Sequence, residues 1–140
     1  MEPAKPIEKP QEKQKVQLEK ELYKIELTHE NKKYILKIGK KENNILFILE
    51  DKYKILSKYY MTSLNYESFS ALGKSFRLCD DINEVESAII FYFDNFIKNE
   101  KGFKLIINTT NNKLIELVVE INIINQNIKF VIELDKIEKI

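Results

Sequence analysis

The chain has 140 residues, enough for one domain with one core, and its 23 basic and 22 acidic side chains leave a net charge of +1, so no overall field favours nucleic acid or an anionic membrane as partner. Arg77 is the single arginine, which argues against the two-pronged grip on phosphates and base edges used in specific nucleic-acid readout. The single cysteine, Cys79, excludes an internal disulfide and a cysteine-rich zinc site. No apolar run reaches the ~18 to 20 residues of a membrane span, and the amino terminus lacks the apolar core of a signal peptide, so a soluble cytoplasmic protein is expected.

Residues 1–20 carry Pro3, Pro6 and Pro10, mixed charge and almost nothing apolar, the composition of a disordered tail, although Val16, Leu18 and Leu22 would allow a short helical turn. Residues 21–140 read as a single globular head. Tyr23, Ile25 and Leu27 alternate with Lys24, Glu26 and Thr28, and Tyr34, Leu36 and Ile38 repeat the period after a polar break at residues 29–33, which makes a hairpin. Ile45 to Leu49 is apolar throughout, so both faces of this third strand are expected to be covered. A fourth, less regular run covers residues 53–61 and contains the Tyr59-Tyr60 pair.

The rhythm then changes to the helical one. Asn65 is a fitting N-cap for a helix with Tyr66, Phe69, Leu72, Gly73 and Phe76 on one side. After a short connection at residues 77–80, Asp81 and Glu84 form a variant of the capping box that starts a longer helix over residues 81–97. Its Ile82, Val85, Ala88, Ile89, Tyr92, Phe93 and Phe96 share a stripe that Ile90, Phe91 and Ile97 widen past half the circumference, so sheet or helix must lie along it. Gly102 stands where a left-handed residue commonly ends a helix.

From Gly102 onward the period is two. Phe103, Leu105 and Ile107 form one strand, and an Asn-Asn turn follows in residues 109–113. Ile115 to Ile123 form a second strand, residues 125–127 turn again, and Ile128, Phe130, Ile132 and Leu134 line a third. The fold class is therefore α+β: a seven-stranded antiparallel β-sandwich or curled sheet with a two-helix insert between strands 4 and 5. Leu134, Ile137 and Ile140 recur at three-residue spacing, which either begins a coiled coil after residue 134 or frays.

No catalytic, metal or cofactor site is expected. His29, the one histidine, lies in a polar hairpin break, where a solvated side chain outweighs a general base. Asp80 and Asp81 beside Cys79 oppose thiolate formation. Asp80, Asp81, Glu84 and Glu86 are accounted for by the positive end of a helix dipole, and Gly39, Gly73 and Gly102 are too scattered to cradle a phosphate. One feature stands apart. Ile124 lies beside Ile123 at a hairpin tip, where a polar turn residue is usual; either it projects as an apolar knob for a partner, with Ile123 and Asn125 as its neighbours, or a bulge tucks it inward.

The order of elements resembles the head domain shared by the centriolar cartwheel proteins and the scaffold proteins of DNA end joining, over about residues 21–137. Val119-Glu120-Ile121-Asn122-Ile123-Ile124-Asn125 is similar to the cartwheel family's Val-Glu-x-Asn-x-Phe-Lys stretch, with Ile124 at the aromatic position and Asn125 where the family has lysine. The resemblance implies a β-sandwich head with a helix-turn-helix insert, followed by a coiled-coil stalk, that self-associates when the tip residue enters a pocket of a neighbouring head. A non-catalytic scaffold in a centriolar or cytoskeletal assembly is thus the expected function, with a protein partner and neither small-molecule substrate nor specific nucleic acid. The alternative is a peptide-binding adaptor in which an exposed sheet edge accepts an extended strand.

Overall fold

Each of the alternating runs forms a strand, and all seven join one antiparallel sheet curled into a half-barrel. The computed structural model describes residues 18–53, 56–109 and 113–137. Four strands come first: β1 (Lys20–His29), β2 (Lys32–Lys41), β3 (Asn44–Tyr53) and β4 (Leu56–Leu64). The helices α1 (Tyr66–Leu72), α2 (Lys74–Arg77) and α3 (Ile82–Ile97) follow, and then β5 (Phe103–Thr109), β6 (Leu114–Ile123) and β7 (Gln126–Ile137). The strand order is β1-β2-β3-β4-β7-β6-β5, so the two sequence-local halves meet where the last strand lies beside the fourth. That seam is short: Tyr59, Tyr60 and Met61 pair with Ile137, Lys136 and Asp135.

Tight turns set the registers. Glu30 and Asn31 both have positive φ (51° and 66°), the mirror-image turn whose twist matches that of the flanking strands. His29 and Lys33, placed in the turn from sequence, belong to β1 and β2. The expectation for the third strand holds, since Ile45, Leu46, Phe47, Ile48 and Leu49 are all buried.

The helices fill the inner face of the curl. Phe47 of β3 lies 6.4 Å from Phe69 of α1 and 6.5 Å from Phe93 of α3, and Phe76 of α2 sits 4.9 Å from Phe130 of β7. The first helix is interrupted: at Gly73 the backbone is extended (φ 174°, ψ 170°), so residues expected in one helix are split between α1 and the four-residue α2. Glycine's low helix propensity permits the break, and burial of both Phe69 and Phe76 on the two sides of it holds it in place. The insert is thus three helical segments rather than two.

The cover expected for α3 is one-sided. Val85, Ile89, Tyr92 and Phe93 are buried, whereas Phe91 and Ile97 are 51% and 48% exposed, because one curled sheet covers one side of a cylinder. At the carboxyl end, Leu134 to Ile137 are strand and not the beginning of a stalk, since pairing with β6 and β4 claims their backbone. The expectations for residues 1–17 and 138–140 lie outside the described residues, as does the Asn-Asn turn of residues 110–112. Lys20 and Leu22, by contrast, lie within β1. Among the described residues no helix is long and apolar enough to cross a membrane.

Candidate functional site

The β6–β7 hairpin is built for projection. Ile123 pairs with Gln126, which leaves Ile124 and Asn125 as a two-residue loop, and the ladder runs to its end without a register shift. No bulge tucks Ile124 inward. Asn125 takes the left-handed conformation (φ 67°) that closes the turn, a role its short polar side chain tolerates, and Ile124 is left 89% exposed. Ile123 points the other way and packs on the core. The three residues singled out from sequence therefore divide into an anchor, a knob and a turn residue.

The tip end of this hairpin is held by the segment leaving α3. The Asn122 amide donates to the Gly102 carbonyl at 2.8 Å, and a Cβ on Gly102 would collide with the Asn122 carbonyl oxygen. Gly102 has φ 93°, so only glycine combines this close approach with that backbone shape.

Beside the knob lies a groove of about 530 Å³, walled by Leu78 and Ser75 on one side, Phe91 and Tyr92 of α3 on another, and Gln126 and Ile128 of β7. Leu78 is 83% exposed, and Phe91 stands edge-on to Tyr92 and Phe103 at 5.9 and 5.8 Å, an orientation aromatic rings favour. Burial pushes the Tyr92 phenol above its ordinary pKa, so this ring meets the groove uncharged. Sequence reasoning missed Leu78 and counted Phe91 among covered residues. The signal was present: a stripe wider than half a helix leaves surplus apolar surface when a single sheet covers it.

The other residues weighed from sequence lie elsewhere in the fold. His29 ends β1 with its Nε2 3.7 Å from Glu30. The Cys79 thiol is pushed up by burial first and by Glu84, Asp80 and Asp81 next, and its Sγ lies 3.9 Å from the Ser75 carbonyl. Asp81 accepts from the Glu84 amide at 3.0 Å as expected, while the Glu84 carboxylate reaches past it to the Asp80 amide at 2.6 Å. Glu86 faces the sheet and binds Lys40 and Lys20 at 2.9 and 3.2 Å. Among the described residues no group of three or more His, Cys, Asp and Glu is arranged to hold a metal ion. Comparison of the chain with protein-family models, with curated proteins and with solved structures returned no match.

Proposed function

We propose that this chain is a non-catalytic scaffold head that associates with a second copy of itself through the Ile124 tip. The observation that carries the reading is a projecting apolar residue next to a largely apolar groove. An exposed isoleucine on a rigid two-residue turn gains by leaving water and loses little entropy on docking. Knob and groove adjoin, since Asn125 and Gln126 of the same hairpin line the groove. A two-fold axis beside them lets each copy seat its Ile124 against the other's Leu78 and Phe91, a closed and self-complementary contact. Only a small area is buried by one knob and one groove per copy, so the association is weak. The cartwheel-like stretch in β6 supports a cytoskeletal or centriolar setting for such a scaffold.

Sedimentation velocity over a concentration series tests this. The wild type is expected to shift toward dimer while Ile124→Glu and Leu78→Glu stay monomeric with unchanged melting curves. Three identical monomers at the highest concentration would remove the tip contact and the scaffold reading with it.

A further inference from the structure

The sheet has seven strands, and among the described residues β1 and β5 are its two unpaired ends. Every neighbouring pair is antiparallel, so the first, third, fifth and seventh positions, which are β1, β3, β7 and β5, run in the same direction. The two ends are therefore parallel to each other, and a strand set between them in the opposite direction is antiparallel to both. They do face one another: Glu26 to His29 of β1 and Leu105 to Ile107 of β5 line opposite sides of a cleft of about 390 Å³, with Phe96 of α3 in its lining.

The backbone groups at the two edges match a single guest. In β1 the two-residue turn makes His29 and Lys32 a hydrogen-bonded pair, so by alternation Leu27 and Ile25 bond to β2 while Glu26 and Thr28 direct their N–H and C=O into the cleft. In β5 the bond from the Asn122 amide to the Gly102 carbonyl sets the opposite phase: Lys104 and Ile106 bond to β6, and Leu105 and Ile107 turn theirs to the cleft. Glu26 and Thr28 are exposed outward-facing residues, whereas Leu105 and Ile107 carry side chains toward the core. One extended strand presents the amides of its outward residues to one neighbour and those of its inward residues to the other. The edges thus demand complementary halves of the same strand.

We propose that the cleft between β1 and β5 receives a short extended segment of another protein, inserted as an eighth strand antiparallel to both edges. The guest's chemistry follows from the walls. Its inward residues meet Leu27, Leu105 and Phe96 and are apolar; its outward residues meet Glu26, Thr28 and Ile106 and are polar or small. The chain's own residues 1–17 do not fit this description. Three prolines break the stretch up to residue 10, and residues 11–17 contain Val16 as their sole apolar side chain. This site is separate from the hairpin tip and does not depend on self-association there.

The probe is a display library of short linear peptides of random sequence, selected against the full chain, with enriched peptides then synthesised. Enriched sequences are expected to carry apolar residues at every second position and no proline in the paired stretch. On titration into isotope-labelled protein they shift the amide signals of Glu26, Thr28, Leu105 and Ile107 together. N-methylation of either alternate set of peptide amides costs roughly tenfold or more in affinity, because each set bonds a different edge. Glu26→Pro does the same while leaving the melting curve in place, since its N–H does not serve the existing ladder and its side chain faces outward. Ile124→Glu leaves peptide affinity unchanged. Failure to enrich, sensitivity to only one N-methyl set, or shifts on one edge alone overturn the insertion, the latter two in favour of docking on a single edge. Displacement of signals from residues 1–17 by the peptide overturns it as well, by making the chain its own guest.

Discussion

Gly102 shows how the absence of one atom permits a close backbone contact. Its positive φ and its approach to Asn122 leave no room for a side chain, and that approach holds the hairpin next to the turn that carries Ile124. Gly102→Ala is expected to cost about 1–3 kcal/mol in urea unfolding. A cost below the lower figure would mean that the segment after α3 relaxes freely. Glu86 is a second case. Burial pushes its carboxyl up, but hydrogen bonds and attraction from Lys40 and Lys20 outweigh this and leave the pKa below its ordinary 4.5. A carboxyl lowered in the folded state contributes stability that is present above the unfolded value and is lost as pH falls through the folded one. The side chain is only 12% exposed, so Glu86→Gln should lose about 1–2 kcal/mol at neutral pH and flatten the stability profile below roughly pH 4.5. Parallel acid limbs in the two proteins would show that the lysines do not hold this charge.

Among the elements, α2 is too short to be stable alone, and Phe76 is what keeps it in place. Its ring lies 5.1 Å from Phe69, 6.2 Å from Tyr92 and 4.9 Å from Phe130, so a single side chain joins α1, α3 and β7. Phe76→Ala is expected to cost about 3–5 kcal/mol, since the surrounding rings come from three elements and cannot all collapse into the space. Leu78 follows directly on α2, and loss of the Phe76 anchor should also expose the groove wall to faster amide exchange. α3 is held to β1 by a different device: the Tyr23 hydroxyl donates to the Ile90 carbonyl at 3.1 Å and also to the Asp94 carboxylate. Burial and then Asp94 raise the Tyr23 pKa, so the phenol stays protonated in this clamp.

At the scale of the whole molecule, the two halves of the sheet share a seam of three paired positions, yet residues from both halves and from all three helices belong to one continuous core. The core, and not the seam, is expected to enforce cooperativity. Far-UV circular dichroism and tyrosine fluorescence should then report a single coincident urea transition. Two separated transitions would show that the first four strands and the last three unfold as independent units.

Periodicity alone determined much of this protein. Alternating side chains along a strand and three- to four-residue recurrence along a helix are local consequences of backbone geometry, so β1 to β7, α3 and the antiparallel meander from β5 to β7 are legible in the residues themselves. So are the caps at Asn65 and Asp81, because a cap acts on the turn next to it. What lies between distant segments had no such signal. The pairing of β4 with β7 depends on which edges the core brings together, and the outward aim of Ile124 depends on the β6–β7 register, which Gly102 contacts at Asn122 beside the tip. The exposure of Phe91 and Leu78 and the cleft between β1 and β5 arise from how far a seven-stranded sheet curls around its helices before its edges stop short of meeting. Those quantities are sums over the whole packed chain, which no window of neighbouring residues contains.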